Sequence, residues 1–301
     1  MERCGYSADY SSHFSVGGVS VRVAGDHLRS VALALPLMPF STELTNADID
    51  LRVEWVDRLR SCPDRPLFDS GALWRLHESA DDFRFEFTAA VFGNTPYKEL
   101  LVDHSFARAT LRVSETAMRL VPDTAPLDYP LDELLIMHRL TQEKAIELHG
   151  CGIVRANGVG NLFVGHSGAG KSTTTRLWTE RGNVEVLSDD RIIVRRESSN
   201  TGRMLIYGTP WHGEAHYASP GSAPLSRIFV LEHGDRNRLT RLTESQAVAE
   251  LFARSFVPFH RHEYVDCALS FLQELVSAVP VFRYDFEPDQ RAVDTILNLH
   301  D

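Results

Sequence analysis

Eight consecutive residues, Gly165-His166-Ser167-Gly168-Ala169-Gly170-Lys171-Ser172, fit the pattern G-x-x-x-x-G-K-[ST]. In such a loop backbone N–H groups wrap a di- or triphosphate ahead of a helix N-terminus. Glycines are needed because the backbone must turn tightly and approach phosphate oxygens closely. Lys171 is then expected on the β- and γ-phosphates, the Ser172 hydroxyl on Mg²⁺, and Thr173 in the helix's first turn. An accidental match of this length is expected in about one chain in a hundred of this size. Its setting lowers that figure, because the apolar run Leu162-Phe163-Val164 precedes it and a helical segment opening Thr173-Thr174-Thr175 follows. A glycine-rich turn that binds nothing is the weaker explanation.

Two adjacent carboxylates, Asp189-Asp190, follow eighteen residues after Lys171, at the end of an apolar strand Val184 to Leu187. Asp is common in turns, and alone the pair reads as a turn. Beside a phosphate loop it reads instead as a magnesium ligand plus a base for an attacking hydroxyl. Downstream, Gly208-Thr209-Pro210-Trp211-His212-Gly213-Glu214 gathers turn formers with an indole, an imidazole and a carboxylate. A mobile loop over the nucleotide or acceptor and a surface turn with Trp211 packed beneath it are equally good readings. His212 and Glu214 are candidates to hold metal or orient an acceptor. Arg254, His260 and Arg261 could counter phosphate charge or an acidic acceptor, although such groups at helix ends are usually solvated. His260 and His262 lack the i, i+4 spacing of a helical metal motif.

The elements around these residues follow from periodicity. Leu131 to Leu148 places leucines at helical spacing with Asp132 and Glu133 in the first turn, predicting a helix that leads into His149-Gly150. Gly152 to Ala156, Asn157-Gly158 and Asn161 to Val164 read as a β-hairpin delivering the chain to Gly165. Helices are predicted over Glu244 to Phe256, capped by Thr243, and over Glu263 to Val279. A strand Val281 to Phe286 and a closing helix from Pro288 follow. The first ~130 residues read as a β-rich domain. Phe14 to Val23 forms a strand pair around Gly17-Gly18, and Phe83 to Val91 alternates as a half-buried strand does. The Pro-punctuated stretch Val121 to Pro130 marks the expected boundary, giving domains 1–130 and 131–301.

Composition bounds the rest. The chain has 301 residues, 43% hydrophobic and 24% charged, which excludes disordered, collagen-like and coiled-coil classes and fits two domains. No apolar run is long enough for a membrane helix, and the first residues lack the apolar core of a signal peptide, so a cytoplasmic protein without membrane partners is expected. A net charge of −10 argues against nucleic acid as a general partner. Cys4, Cys62, Cys151 and Cys267 show no C-x-x-C spacing, which predicts reduced thiols rather than disulfides or a zinc site.

Over about Leu131 to Ile296 the sequence resembles the HPr kinase/phosphorylase-like kinases, whose core is akin to ATP-type phosphoenolpyruvate carboxykinase. The resemblance is carried by Leu148-His149-Gly150, the hairpin before the phosphate loop, Gly165 to Thr175, and Leu187-Ser188-Asp189-Asp190. It implies an α/β fold: a C-terminal P-loop kinase domain with a mixed sheet, here preceded by a β-rich domain of unassigned role, with acceptor recognition as one candidate. It also implies that His149 lies near the phosphates, that Asp189 and Asp190 supply a base and a metal contact in an order left open, and that the chain forms homo-oligomers. Helix C-capping is the simpler reading of His149 without the resemblance. The glutamate-arginine-glycine signature of HPr kinases is absent, and Tyr207 to Glu214 stands in its place. The resemblance is therefore to a divergent branch that includes serine kinases of ribosomally made peptide precursors.

The expected function is an ATP- and Mg²⁺-dependent kinase transferring the γ-phosphate to a hydroxyl, foremost a serine of a peptide or protein. Asp190 would serve as base and Ser172 with Asp189 as metal ligands. A phosphotransferase for a small hydroxyl compound, a carboxykinase-like enzyme, and a nucleotide-binding interaction protein without catalysis are the alternatives.

Overall fold

The computed structural model describes residues 10–43, 46–93, 95–197 and 201–299. The chain divides into two compact units, one built from residues before Val16 and from Val19–Arg139, the other from Val16–Gly18 and Leu140 onward. Both are dominated by mixed β-sheets with few helices. No helix among the described residues is long and apolar enough to cross a membrane.

The first unit carries β1 (Tyr10–Val16), β2 (Val19–Gly25), β3 (Ile49–Val56), β4 (Phe68–Asp69), β5 (Trp74–Glu78), β6 (Asp82–Phe87), β7 (Lys98–Asp103) and β8 (Arg108–Ser114). They form one sheet in the order β1-β2-β3-β8-β7-β6-β5-β4. The β2–β3 and β3–β8 pairs are parallel, whereas β4 through β8 pair antiparallel. Period-two alternation builds the core face. Ile49, Leu51 and Val53 of β3 are buried, as are Phe83, Phe85 and Phe87 of β6, while Asp50 and Arg52 face out. β6 ends at Phe87, and Ala90–Phe92 turns into a 3-10 helix, so the strand expected to Val91 is shorter.

A short α1 (Glu115–Met118) and α2 (Leu131–Leu140) complete this unit. The division falls at Arg139/Leu140, beyond the Pro-punctuated stretch. Contacts made by the stretch and by α2 after it explain why the chain does not divide there. The buried Lys98 ammonium donates to the Asp128 carboxylate and to the Ala125 carbonyl, and His138 of α2 stacks on Phe106 at 4.8 Å and meets Phe85 edge-on.

The second unit contains β9 (Ala145–Arg155), β10 (Gly160–Val164), β11 (Val184–Ser188), β12 (Arg191–Arg196), β13 (Met204–Tyr207), β14 (Ser222–His233), β15 (Arg238–Arg241), β16 (Ser255–Phe256) and β17 (Val281–Phe286). Its helices are α3 (Lys171–Arg181), α4 (Glu244–Phe252), α5 (His262–Ala278) and α6 (Gln290–Leu297). The helix expected to run to Leu148 stops at Leu140, and Ala145 to Leu148 opens β9. Ile146 and Leu148 satisfy helical and strand periods alike, and pairing with β12 settles the choice. Likewise the helix expected to reach Phe256 ends at Phe252, and Ser255–Phe256 pairs with β9. The Thr243–Gln246 capping box starts α4 as expected.

Long β9 changes partners along its length. Ala145 to His149 pairs with β12, Gly150 to Val154 with β10, and Gly152 to Arg155 with β11. Followed from β9 through β12, β13, β14 and β10, the pairings return to β9, so the sheet closes on itself. Alternate residues of β10 and β14 face two separate cores. Leu162, Val164, Ile228 and Val230 pack with α4 and α5, whereas Phe163, Phe229 and Leu231 pack with Leu177 and Trp178 of α3 and Val293 of α6. The Asn157-Gly158 hairpin forms as expected.

Candidate active site

β10 is buried along its whole length between β9 and β14, which fixes where Gly165 leaves the sheet. The loop turns back through Gly170, whose φ of 104° is the left-handed region that favours glycine. A Cβ there would also stand 2.4 Å from Cζ of Phe286. α3 begins at once with Lys171, and no side chain caps it. The first N–H groups of the helix therefore face the loop without intrahelical partners, the arrangement that receives anions. Lys171 is buried and donates to the carbonyls of Gly165 and His166 at 3.1 and 3.2 Å. Burial pushes its pKa below the ordinary lysine value, against the opposing charge of Asp190.

Asp189 and Asp190 occupy the tight connection from β11 to β12, beside the point where β9 passes from one of these strands to the other. Their environments differ. Asp189 is 3% exposed, and its two oxygens accept the Gly213 N–H at 3.0 Å and the Ala215 N–H at 2.9 Å. It thus fixes the loop after Trp211. Asp190 is half-buried, and its Oδ1 lies 2.9 Å from Nε2 of His149 while Oδ2 pairs with Arg191. Burial alone would raise the Asp190 pKa. The His149 hydrogen bond and the charges of Arg191, His149 and Lys171 outweigh it and hold the carboxyl below its usual range. The Arg191 guanidinium is itself placed by the Phe256 ring, 4.0 Å beneath it, and by the buried Glu147 at 3.5 Å.

These groups border one cleft of about 380 Å³, lined by His149, Ser167, Gly168, Gly170 to Thr173, Asp189, Asp190, Gly213 and Glu214. A second groove of about 400 Å³ flanks the same loop, lined by His166, Ser167, Gly168, Ala169, Leu231, Glu232, His233 and Arg254.

The remaining candidates separate. Trp211 is buried at 6% exposure, so Glu214 rather than the indole faces the cleft. His212 lines neither cavity and packs edge-on against His216 at 4.6 Å. Arg254 lies on the second groove with its guanidinium on Glu250, and its carbonyl accepts the His149 N–H at 2.8 Å. Arg261 is the N-cap of α5 and borders neither cavity.

Sequence reasoning missed His233, whose Nε2 meets the Gly168 carbonyl at 2.8 Å, and the Arg191–Glu147 pair. Parallel pairing of β14 with β10 brings His233 to the loop, and no local pattern could reveal that contact.

Ser172, Asp189 and Asp190 offer hard oxygen donors at the cleft, the donor chemistry that suits Mg²⁺. Cys151, the one thiol near the cleft among the described residues, is fully buried behind the Lys171 carbonyl, and burial pushes it up to about 12, so it is neither ligand nor nucleophile there. A loop of backbone donors, one ammonium and two carboxylates on one cleft can bind a phosphate chain and ionise a hydroxyl beside it. Neither a protein-family model nor a curated protein matches this chain.

Proposed function

We propose that the second unit is an ATP- and Mg²⁺-dependent kinase of the HPr kinase/phosphorylase-like type, passing the γ-phosphate to a hydroxyl, foremost a serine of a peptide or protein. One observation carries this reading: the uncapped start of α3 and the Asp189-Asp190 pair border the same cleft of about 380 Å³. The loop N–H groups and Lys171 bind and orient the phosphates. Asp190 has one oxygen hydrogen-bonded to His149 and the other paired with Arg191, which hold it in one orientation and ionised. It receives the hydroxyl proton, a transfer completed late because a depressed pKa makes it a weak base until phosphoryl transfer acidifies that proton. Asp189 keeps Gly213 and Glu214 at the rim, where they help exclude water. Mg²⁺ held by Ser172 and Asp189 would neutralise phosphate charge.

The test is label transfer from γ-labelled ATP with Mg²⁺ to serine peptides and, separately, to small hydroxyl compounds, using the wild type, Lys171→Ala and Asp190→Asn. Label on a serine peptide, absent in both variants, is the expected result. Label only on small compounds would replace the acceptor class. Tight nucleotide binding with no transfer to any acceptor would replace the kinase by a nucleotide-binding interaction protein.

A further inference from the structure

A separate cluster of chemistry lies in the first unit. His77 of β5 and Glu86 of β6 sit on the sheet face opposite Phe83, Phe85 and Phe87, where strand alternation normally exposes side chains. Both are nevertheless buried, at 6% and 2% exposure. The connection between β3 and β4 is pinned here, with the Arg60 carbonyl accepting from Arg84 at 2.8 Å and the Cys62 N–H donating to Glu86 Oε1 at 2.6 Å. The Cys62 thiol thereby joins the imidazole and the carboxylate, and one ligand atom from each lies within 4.8 Å of the other two.

Neither ring nitrogen of His77 has a hydrogen-bond partner among the described residues. Its Nε2 stands 3.8 Å from Glu86 Oε2, too far for a hydrogen bond. Two ligands on one tetrahedral zinc lie about 3.3–3.6 Å apart, so a small contraction brings the three donors onto an ion. Glu86 Oε1 is occupied by the Cys62 N–H and by Arg84 at 2.8 Å, which leaves Oε2 turned towards His77. Arg84 is balanced in turn by Glu99 at 2.6 Å. A divalent ion with one thiolate and one carboxylate is neutral, so no uncompensated charge is buried. On the solvent side the Asp64 carboxylate lies 3.8 Å from Cys62 Sγ, within reach of a fourth position.

We propose that Cys62, His77 and Glu86 form a zinc site that clamps the β3–β4 connection onto β5 and β6. Mixed sulfur, imidazole and carboxylate ligation selects Zn²⁺ over Mg²⁺ or Ca²⁺. The proposed site departs from the sequence expectation of reduced thiols without a zinc site. Spacing could not reveal it, because its ligands belong to three elements joined by a sheet and a loop. It is independent of the kinase reading.

The test uses the full chain produced in zinc-supplemented medium. Elemental analysis is expected to find one zinc per chain, kept in Lys171→Ala and lost in Cys62→Ser and His77→Gln. Loss of outer partners alone weakens metal sites by about 10–100-fold, so loss of a ligand should exceed that. Cobalt substitution should give a thiolate-to-metal absorption band that Cys267→Ser keeps and Cys62→Ser abolishes. In the wild type, zinc should slow alkylation of Cys62, read by peptide mapping, which needs no variant to fold. Metal-free wild type with no cobalt–thiolate band, equal alkylation with and without zinc, or metal retained by both ligand variants would each overturn the site.

Discussion

Two buried polar groups, one in each unit, have opposite fates. Asp189 lies 3% exposed with both oxygens taken by backbone N–H groups, whereas His77 lies 6% exposed with both ring nitrogens unpaired among the described residues. A buried polar atom without a partner costs about 1–3 kcal/mol. Asp189, each of whose oxygens keeps a second lone pair for the proposed Mg²⁺, avoids that cost from within the fold, holding Gly213 and Glu214 at the cleft. His77 does not, and an outside ion is the natural remedy. The same contrast recurs at the cleft, where Asp190 is paired with His149 and Arg191 while the first N–H groups of α3 have no intrahelical partner.

Breaking the cleft at its working groups should have the largest effect. Lys171→Ala or Asp190→Asn is expected to lower label transfer by about 10³-fold with little change in thermal unfolding. A large fall in melting temperature would make the pair structural instead. Asp189→Ala should lower label transfer and, unlike those variants, stability as well, since it strands the Gly213 and Ala215 N–H groups: stability falls by about 2 kcal/mol or more, read by urea denaturation. An unchanged midpoint would mean that Asp189 does not hold the loop at Gly213. Gly170→Ala comes next, with about 1–3 kcal/mol of strain set by the positive φ and the Phe286 ring, measured by denaturation and by weakened nucleotide binding.

The smallest expected effect is on pH dependence. Asp190 is held below its usual range, so in the wild type the acid limb of kcat/KM should lie below the ordinary carboxylate pKa. His149→Ala removes a stabilising partner of the charged form and should move that limb upward. On the alkaline side, burial lowers Lys171, so activity should fall before the pH at which a solvated lysine titrates.

Much of the second unit was legible because its signals are local. The loop, α3 and the strand before Asp189 follow one another within a single stretch of chain, and the Asn157-Gly158 turn and Thr243 cap carry their own chemistry. What failed depended on distant partners. Ile146 and Leu148 fit a helix until β12 is known to lie beside them, and the two readings of the Trp211 loop stood even until the burial of the indole favoured the packed one. In the first unit alternation marked β6 and the Gly17-Gly18 turn marked β1 and β2, but the parallel placement of β8 beside β3 is a long-range choice. His77 and Glu86 were invisible as a pair, since their approach depends on the pairing of β5 with β6 and on contacts from the β3–β4 connection.

Calorimetry of nucleotide binding reaches the central claim most directly. Titrated with Mg²⁺–ATP, the wild type should bind one nucleotide per chain, and Lys171→Ala should bind at least about tenfold more weakly, the equivalent of 1.4 kcal/mol. No heat and no thermal shift with millimolar adenine or guanine nucleotide, or equal binding by Lys171→Ala, would contradict the assignment of Gly165 to Ser172 as a phosphate-binding loop.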